Sequence, residues 1–350
     1  MTKLEYGEAI MLQFKHMITA IDAHTGGEPL RIITAGMPPI LGAGILEKRI
    51  YLKENLDHIR KMLMLEPRGH SGMYGCIVTP PTTEDGDFGV IFTHNEGYSS
   101  MCGHGIIAVT KVLLEVGQIP AQEGHNIVRI DAPAGRVTAM AEICEGRVKQ
   151  VEFENVPSFV YAGNVPVVLE GLGEITVDIA YGGAFYAYVD AAKLGLAVDA
   201  TYMEALVKRG MEIKYAVMKV LQVVHPLEPR ISGIYGTIFT APVRETPFGL
   251  HSKNVCIFAD GQIDRSPTGT GTSARVALLH HQGLLKEGMI LQNDSIIDTP
   301  MTGRIKGFTR IAGYDAVITV VGGTAHICGF NQLVLDPTDP LPEGFRITGG

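Results

Sequence analysis

No apolar run in these 350 residues is long enough to cross a bilayer as a helix, and no block of Lys or Arg offers a surface for nucleic acid or an anionic membrane. The formal net charge is −8, so neither partner is expected. Cysteine is sparse: Cys76, Cys102, Cys144, Cys256 and Cys328 are odd in number and scattered, with no Cys-x-x-Cys pair. That argues against a disulfide scaffold or structural zinc, and for a reducing compartment, most simply the cytoplasm. The twelve histidines make no His-Glu-x-x-His pattern, and the adjacent His280 and His281 point to different helix faces, so no metal is expected. The segment Met1 to Met17 lacks the apolar stretch and cleavage site of a signal peptide. It reads as a short extension ahead of a first strand, Met17 to Asp22.

Glycine, by contrast, is plentiful at 42 residues, in a chain that is 46% hydrophobic and 19% charged. Such a composition suits a globular protein rich in strands and turns. The length suits two domains of about 150 residues.

The chain repeats itself. Asp22-Ala-His-Thr-Gly-Gly27 parallels Asp178-Ile-Ala-Tyr-Gly-Gly183. Glu66-Pro-Arg68 with Ser71-Gly-Met-Tyr-Gly75 parallels Glu228-Pro-Arg230 with Ser232-Gly-Ile-Tyr-Gly236. Ser100-Met-Cys-Gly-His-Gly105 parallels Ser266-Pro-Thr-Gly-Thr-Gly271. The offsets are 156, then 162 and 161, then 166, too long for a solenoid and drifting as small insertions would make them. The expected architecture is α+β: two similar mixed α/β domains related by a pseudo-two-fold axis, with the active site in the cleft between them. Residues 1–165, completed by 325–350, form the first domain, and 166–324 the second. In each, short apolar runs such as Phe88–Phe92, Val148–Phe153 and Ala316–Val321 predict strands. One helix near the middle of each half is expected, marked by Leu56, Ile59 and Leu63 in the first. In the second, Thr201 and Glu204 make a capping-box pattern ahead of Leu206. A further helix opens at each Gly-rich motif, Gly105–Val116 and Gly271–Gln282, with Gly117 and Gly283 suited to the position just past its end.

Those motifs carry the chemistry. Cys102 stands just ahead of a helix start, where unpaired N–H groups and the helix dipole should draw its pKa from about 8.5 towards neutrality. Gly103 and Gly105 let backbone N–H groups approach an anion. The motif alone fits a buried structural thiol equally well. Thr268-Gly-Thr-Gly271 supplies a second set of helix-end donors, and a two-fold would aim both sets at one substrate carboxylate. The alternative for Gly269 to Thr272, a nucleotide phosphate loop, is disfavoured because no Lys follows it. Tyr74 and Phe258 are possible pocket residues or core. His24 and His70, and with a weaker claim His225, suit either substrate contact or a structural role in a turn, the latter at least as well, and Arg68 and Arg230 suit ion pairs that brace each domain.

Met101-Cys-Gly-His-Gly105 and Asp264-Arg-Ser-Pro-Thr-Gly-Thr-Gly-Thr272 resemble the two signature motifs of the proline racemase family. Asp22-Ala-His-Thr-Gly-Gly-Glu28 and Glu66-Pro-Arg-Gly-His70 resemble its other recurring segments, and the match runs from Met17 onward. The resemblance implies a diaminopimelate-epimerase-like fold, no cofactor, no metal and a homodimer. It also implies that Cys102 is the proton acceptor. Backbone donors of Gly103, His104, Gly269 and Thr270 would hold the carboxylate, and Asp264 the ring ammonium. Racemases of the family place a second cysteine where this chain has Thr268.

That difference decides the expected reaction. Taking the hydroxyl to resemble water, with pKa about 15.7, ionising it near pH 7 costs on the order of 11 kcal/mol, of which a helix end recovers about 1–2. Two-base racemisation is therefore disfavoured. In trans-3-hydroxy-L-proline the 3-hydroxyl shares a face with the Cα hydrogen, so one group on that face can remove the proton and return it to the departing hydroxyl. Tautomerisation then gives Δ1-pyrroline-2-carboxylate. The resemblance associates a Cys/Thr pair with the family's trans-3-hydroxy-L-proline dehydratases. The alternatives are a proline racemase or 4-hydroxyproline epimerase, and a binding protein that captures an amino acid without turnover.

Overall fold

The computed structural model describes residues 14–347. The extension ahead of the first strand lies, through residue 13, outside the described residues. The first half runs β1 (His16–Thr25), β2 (Glu28–Ala35), α1 (Ile45–Asn55), α2 (Asp57–Met64), β3 (Tyr74–Thr79), β4 (Phe88–His94), β5 (Tyr98–Ser99), α3 (Gly103–Glu115), β6 (Gly124–Ala132), β7 (Gly135–Cys144) and β8 (Arg147–Glu154). The second runs β9 (Ser158–Leu169), β10 (Gly173–Tyr181), β11 (Phe185–Asp190), α4 (Met203–Val220), β12 (Gly236–Thr240), β13 (Arg244–Thr246), β14 (Gly249–Phe258), β15 (Gln262–Ile263), α5 (Gly269–His281), β16 (Ile290–Asp294), β17 (Pro300–Ile311) and β18 (Tyr314–Gly323). A last strand, β19 (Ala325–Leu335), follows.

Strand pairing repeats with the sequence. In the first half β1/β2 is antiparallel, β2/β3 parallel, β3/β4 antiparallel, β4/β6 parallel, then β6/β7 and β7/β8 antiparallel. In the second, β10/β11, β11/β12, β12/β14, β14/β16, β16/β17 and β17/β18 follow the same alternation. β9 pairs with β10 on its outer side, and β19 pairs with β1 from His16↔Leu335 to Thr25↔Ala325. The last strand thus holds in the first half the place that β9 holds in the second. β18 pairs with both β8 and β9, which ties the halves together.

Each half wraps its sheet around one helix. In α3 every residue from Gly103 to Leu114 except Lys111 is buried, and in α5 every residue from Gly269 to Leu279. A helix apolar or small-sided all round can only be a central one. Gly117 (φ 73°) and Gly283 (φ 74°) end these helices in the left-handed conformation that glycine adopts without steric cost. The largest core cluster joins Ile106, Val109 and Phe153 of the first half to Tyr186, Ile238 and Ala274 of the second.

Two local readings are corrected. The first half carries two middle helices, because the chain leaves helical geometry at Leu56 (φ −127°, ψ 15°) before α2 begins. In the second half Thr201 is not the cap of α4. It lies in a short 3-10 turn whose cap is Asp199, and α4 starts at Met203 without a side-chain cap. Aspartate competes well for such a turn because its carboxylate accepts the Thr201 N–H directly. Among the described residues no helix is long and apolar enough to cross a membrane.

Candidate active site

The N-termini of α3 and α5 abut. A Cβ on Gly103 would lie 2.4 Å from Gly269 Cα, and one on Gly269 2.5 Å from Gly103 Cα. Only glycine allows two backbones this close. Around the junction is a narrow pocket lined by all seven residues singled out in the sequence: Cys102, Gly103, His104, Asp264, Thr268, Gly269 and Thr270. Helix geometry leaves the N–H groups of each first turn without intrahelical acceptors, so two sets of donors face the same space.

Cys102 is the N-cap of α3 and is 4% exposed. Its Sγ accepts the Gly105 N–H at 3.3 Å and lies 3.2 Å from His104 Nδ1. The expected acidification is not realised in the folded pocket. Burial pushes the Cys102 thiol well above the ordinary cysteine range, the Gly105 N–H opposes this, and the Asp264 carboxylate reinforces it. The motif reveals the helix end but neither the exclusion of water nor the carboxylate across the pocket. Burial likewise pushes the His104 ring below the usual histidine range.

Thr268 takes the capping position of α5 with φ 63°, ψ 95°, a region that a β-branched residue seldom occupies. Its hydroxyl does not cap the helix. It donates to Asp264 Oδ2 at 2.8 Å, while Asp264 Oδ1 accepts the Ser266 N–H at 2.8 Å. Behind Asp264 lies Glu28, fully buried, whose Oε2 accepts the Arg265 N–H at 2.7 Å and pairs with Arg265 Nε at 2.9 Å. Burial, then the neighbouring Asp264 carboxylate, raises the Glu28 carboxyl well above the usual range. On the far side the Thr270 hydroxyl meets Tyr186 at 2.6 Å.

Tyr74 and Phe258 line the pocket too. Sequence reasoning missed Tyr186, Tyr235 and Cys256, which also line it. Tyr235 was within reach, as the repeat mate of Tyr74; Cys256, in the apolar run of β14, carries no signal that sets it apart from the core. The turn histidines stay outside: His24 Nδ1 accepts the Gly27 N–H, His225 Nδ1 accepts the Glu228 N–H, and His70 Nδ1 lies against Ser71 O. Arg68 pairs with Asp339 and Arg230 with Glu47 and Glu228, as bracing residues do.

The family model for proline racemase matches residues 20–346. A trans-3-hydroxy-L-proline dehydratase of Bacillus thuringiensis is 49% identical over 96% of this chain and 100% of its own. A 3-hydroxyproline 2-epimerase of Burkholderia multivorans is 44% identical over 96% of this chain and 100% of its own. The crystal structure of a hydroxyproline epimerase from Agrobacterium vitis with bound trans-4-hydroxy-L-proline superimposes with a TM-score of 0.90 at 35% identity, covering 96% of this chain and 97% of that one. Repeated half, paired helix ends and capping cysteine therefore have a common explanation: the chain belongs to the proline racemase family.

Proposed function

We propose that this chain is a cofactor-independent trans-3-hydroxy-L-proline dehydratase. The observation that carries the reading is the asymmetry of the pocket: a thiol at residue 102, and at residue 268 a hydroxyl engaged as a donor to Asp264. A hydroxyl donating to a carboxylate resists ionisation more strongly than a free one, because losing its proton would set two negative charges side by side. Proton removal then falls to Cys102 alone. The substrate carboxylate accepts from the N–H groups of Gly103, His104, Gly269 and Thr270, and these donors stabilise the charge that grows as Cα becomes planar. The ring ammonium docks at Asp264 and cancels the field with which that carboxylate disfavours the thiolate. The thiolate takes the Cα proton, and the hydroxyl leaves from the same face. The relative from Bacillus thuringiensis bears the name of this activity.

Incubation with trans-3-hydroxy-L-proline should give one equivalent of Δ1-pyrroline-2-carboxylate, followed by absorbance or mass. Absence of product under conditions where pyrrole-2-carboxylate protects Cys102 from iodoacetamide would leave a binding protein instead.

A second reading, epimerisation, has one observation in its favour. Cys256 lines the same pocket as Thr268. A second sulfur there could return a proton through the Thr268 hydroxyl to the other face. Incubation in D2O with L-proline separates the readings: exchange at Cα without inversion supports a lone base, inversion supports two. We propose with the dehydratase reading a homodimer in a reducing cytoplasm, and domains of residues 1–165 with 325–350 and of 166–324. Sedimentation velocity and limited proteolysis address the assembly and the boundaries.

A further inference from the structure

Tyr74 and Tyr235 occupy matching places in the repeated Ser-Gly-x-Tyr-Gly segments, one in each half. Their hydroxyls meet at 3.2 Å. Ser99 Oγ hydrogen-bonds to both, at 3.1 Å from Tyr235. Three hydroxyls thus close a triangle where the halves join. On one side lies the pocket, lined by Tyr74 and Tyr235. On the other lies an open cavity of about 750 Å3, lined by Ser99 and Tyr235 together with Arg49, Lys53, Lys214 and Arg230. Tyr74 and Cys102 line the same pocket, and the Tyr74 ring stands edge-on, with centroids 4.9 Å apart, to His104, whose Nδ1 lies 3.2 Å from the Cys102 sulfur.

These positions bear on how the hydroxyl departs. On the dehydratase reading, on which this inference rests, the 3-hydroxyl leaves from the face where Cys102 works, so a group beside the sulfur is beside the leaving oxygen. We propose that Tyr74 donates the proton to the departing hydroxyl, with Ser99 and Tyr235 aligning it and passing the released water to the open cavity. The Cα–H bond breaks, its proton goes to the Cys102 thiolate, and its electron pair becomes the Cα–C3 double bond. The C3–O bond breaks and the oxygen keeps the electron pair of that C3–O bond. Tyr74 gives this oxygen its phenolic proton while the Cys102 thiol gives its own to Tyr74. One water leaves, and thiolate and phenol are both restored. Burial holds the Tyr74 phenol well above its usual range, which disfavours a free phenolate and couples the two transfers.

L-Proline has no 3-hydroxyl, so exchange of its Cα hydrogen in D2O reports proton removal alone. Tyr74→Phe should lower dehydration of trans-3-hydroxy-L-proline about a hundredfold relative to that exchange, within the range of a lost general acid. Ser99→Ala should lower the same ratio about tenfold, since it removes only the aligning hydroxyl. An unchanged ratio in Tyr74→Phe would overturn the role. So would equal loss of both activities in the two variants, which would mark the ring as packing around Cys102. A wild-type chain that exchanges L-proline but never dehydrates the 3-hydroxy substrate would instead sink the dehydratase reading itself.

Discussion

The Thr268 hydroxyl donates a 2.8 Å hydrogen bond to Asp264, the residue proposed to hold the substrate ammonium. On that proposal one carboxylate does two jobs: it fixes the threonine as a donor and takes the ligand's positive charge. Its other oxygen is held by the Ser266 N–H at 2.8 Å, so its plane is set before any ligand arrives. On the proposed mechanism the asymmetry lies in the wall of the pocket as well as in the choice of residue 268.

Restoring a thiol at that position should restore a second proton carrier. Thr268→Cys is expected to invert L-proline, detected as a polarimetric or chiral-chromatographic change absent from the wild type. The left-handed backbone at residue 268 suits cysteine better than β-branched threonine, so stability should fall by no more than about 1 kcal/mol. A folded variant that exchanges the Cα hydrogen yet inverts nothing would show that the second face differs by more than one atom.

Cys102→Ser should abolish both dehydration and Cα exchange while leaving the fold intact, because serine is itself a good N-cap. In the wild type, burial places the thiol well above the ordinary cysteine range. The rate of Cys102 alkylation by iodoacetamide in the free protein should therefore keep rising through pH 9. A plateau below pH 8 would mean that the helix end outweighs burial after all.

Much of this was legible in the sequence because the repeated segments are demanding ones. Gly103 and Gly269 answer to a backbone contact, and Gly117 and Gly283 to a left-handed turn. Glycines required twice, in order, announce a duplicated fold and both helix starts. What escaped depends on distance across the pocket. Ser99 and Tyr235 meet over 136 positions of chain, and Cys256 enters the wall from a strand whose apolar pattern reads as core. The height of the Cys102 pKa was illegible for the same reason: a motif shows its own helix end, not the water excluded by residues from the other half. At Leu56, an apolar spacing that continues across a break hid the division of one expected helix into α1 and α2.

Acid stability should be governed in part by His94. It is buried among Tyr74, Tyr235 and Phe258, and burial, with Arg60 nearby, lowers its pKa from 6.5 to about 3. Between those values the unfolded chain binds a proton that the folded one refuses, so stability falls as pH drops from 6.5 towards 3 and is fully present above 6.5. The slope attributable to one such group is about 1.4 kcal/mol per pH unit. Urea unfolding of His94→Gln at pH 4.5 and 7 should show a smaller difference between the two pH values than wild type does. An equal difference would place the acid sensitivity elsewhere.

The contact of Gly103 with Gly269 makes the sharpest structural forecast. Gly103→Ala puts a methyl 2.4 Å from Gly269 Cα and 2.8 Å from its carbonyl carbon, both backbone atoms that cannot turn aside. Overpacking against a flexible side chain typically costs about 1–3 kcal/mol. Here the two helix ends themselves must part, so the loss should reach the top of that range, with catalysis falling further because both sets of proposed carboxylate donors move. Gly117→Ala is the control: its Cβ meets nothing within 4 Å, leaving only the strain of φ 73°. Thermal melts should place Gly103→Ala well below Gly117→Ala, and dehydration should survive in the latter alone. Comparable melting points and activities in the two variants would mean that the helix ends do not need their close approach.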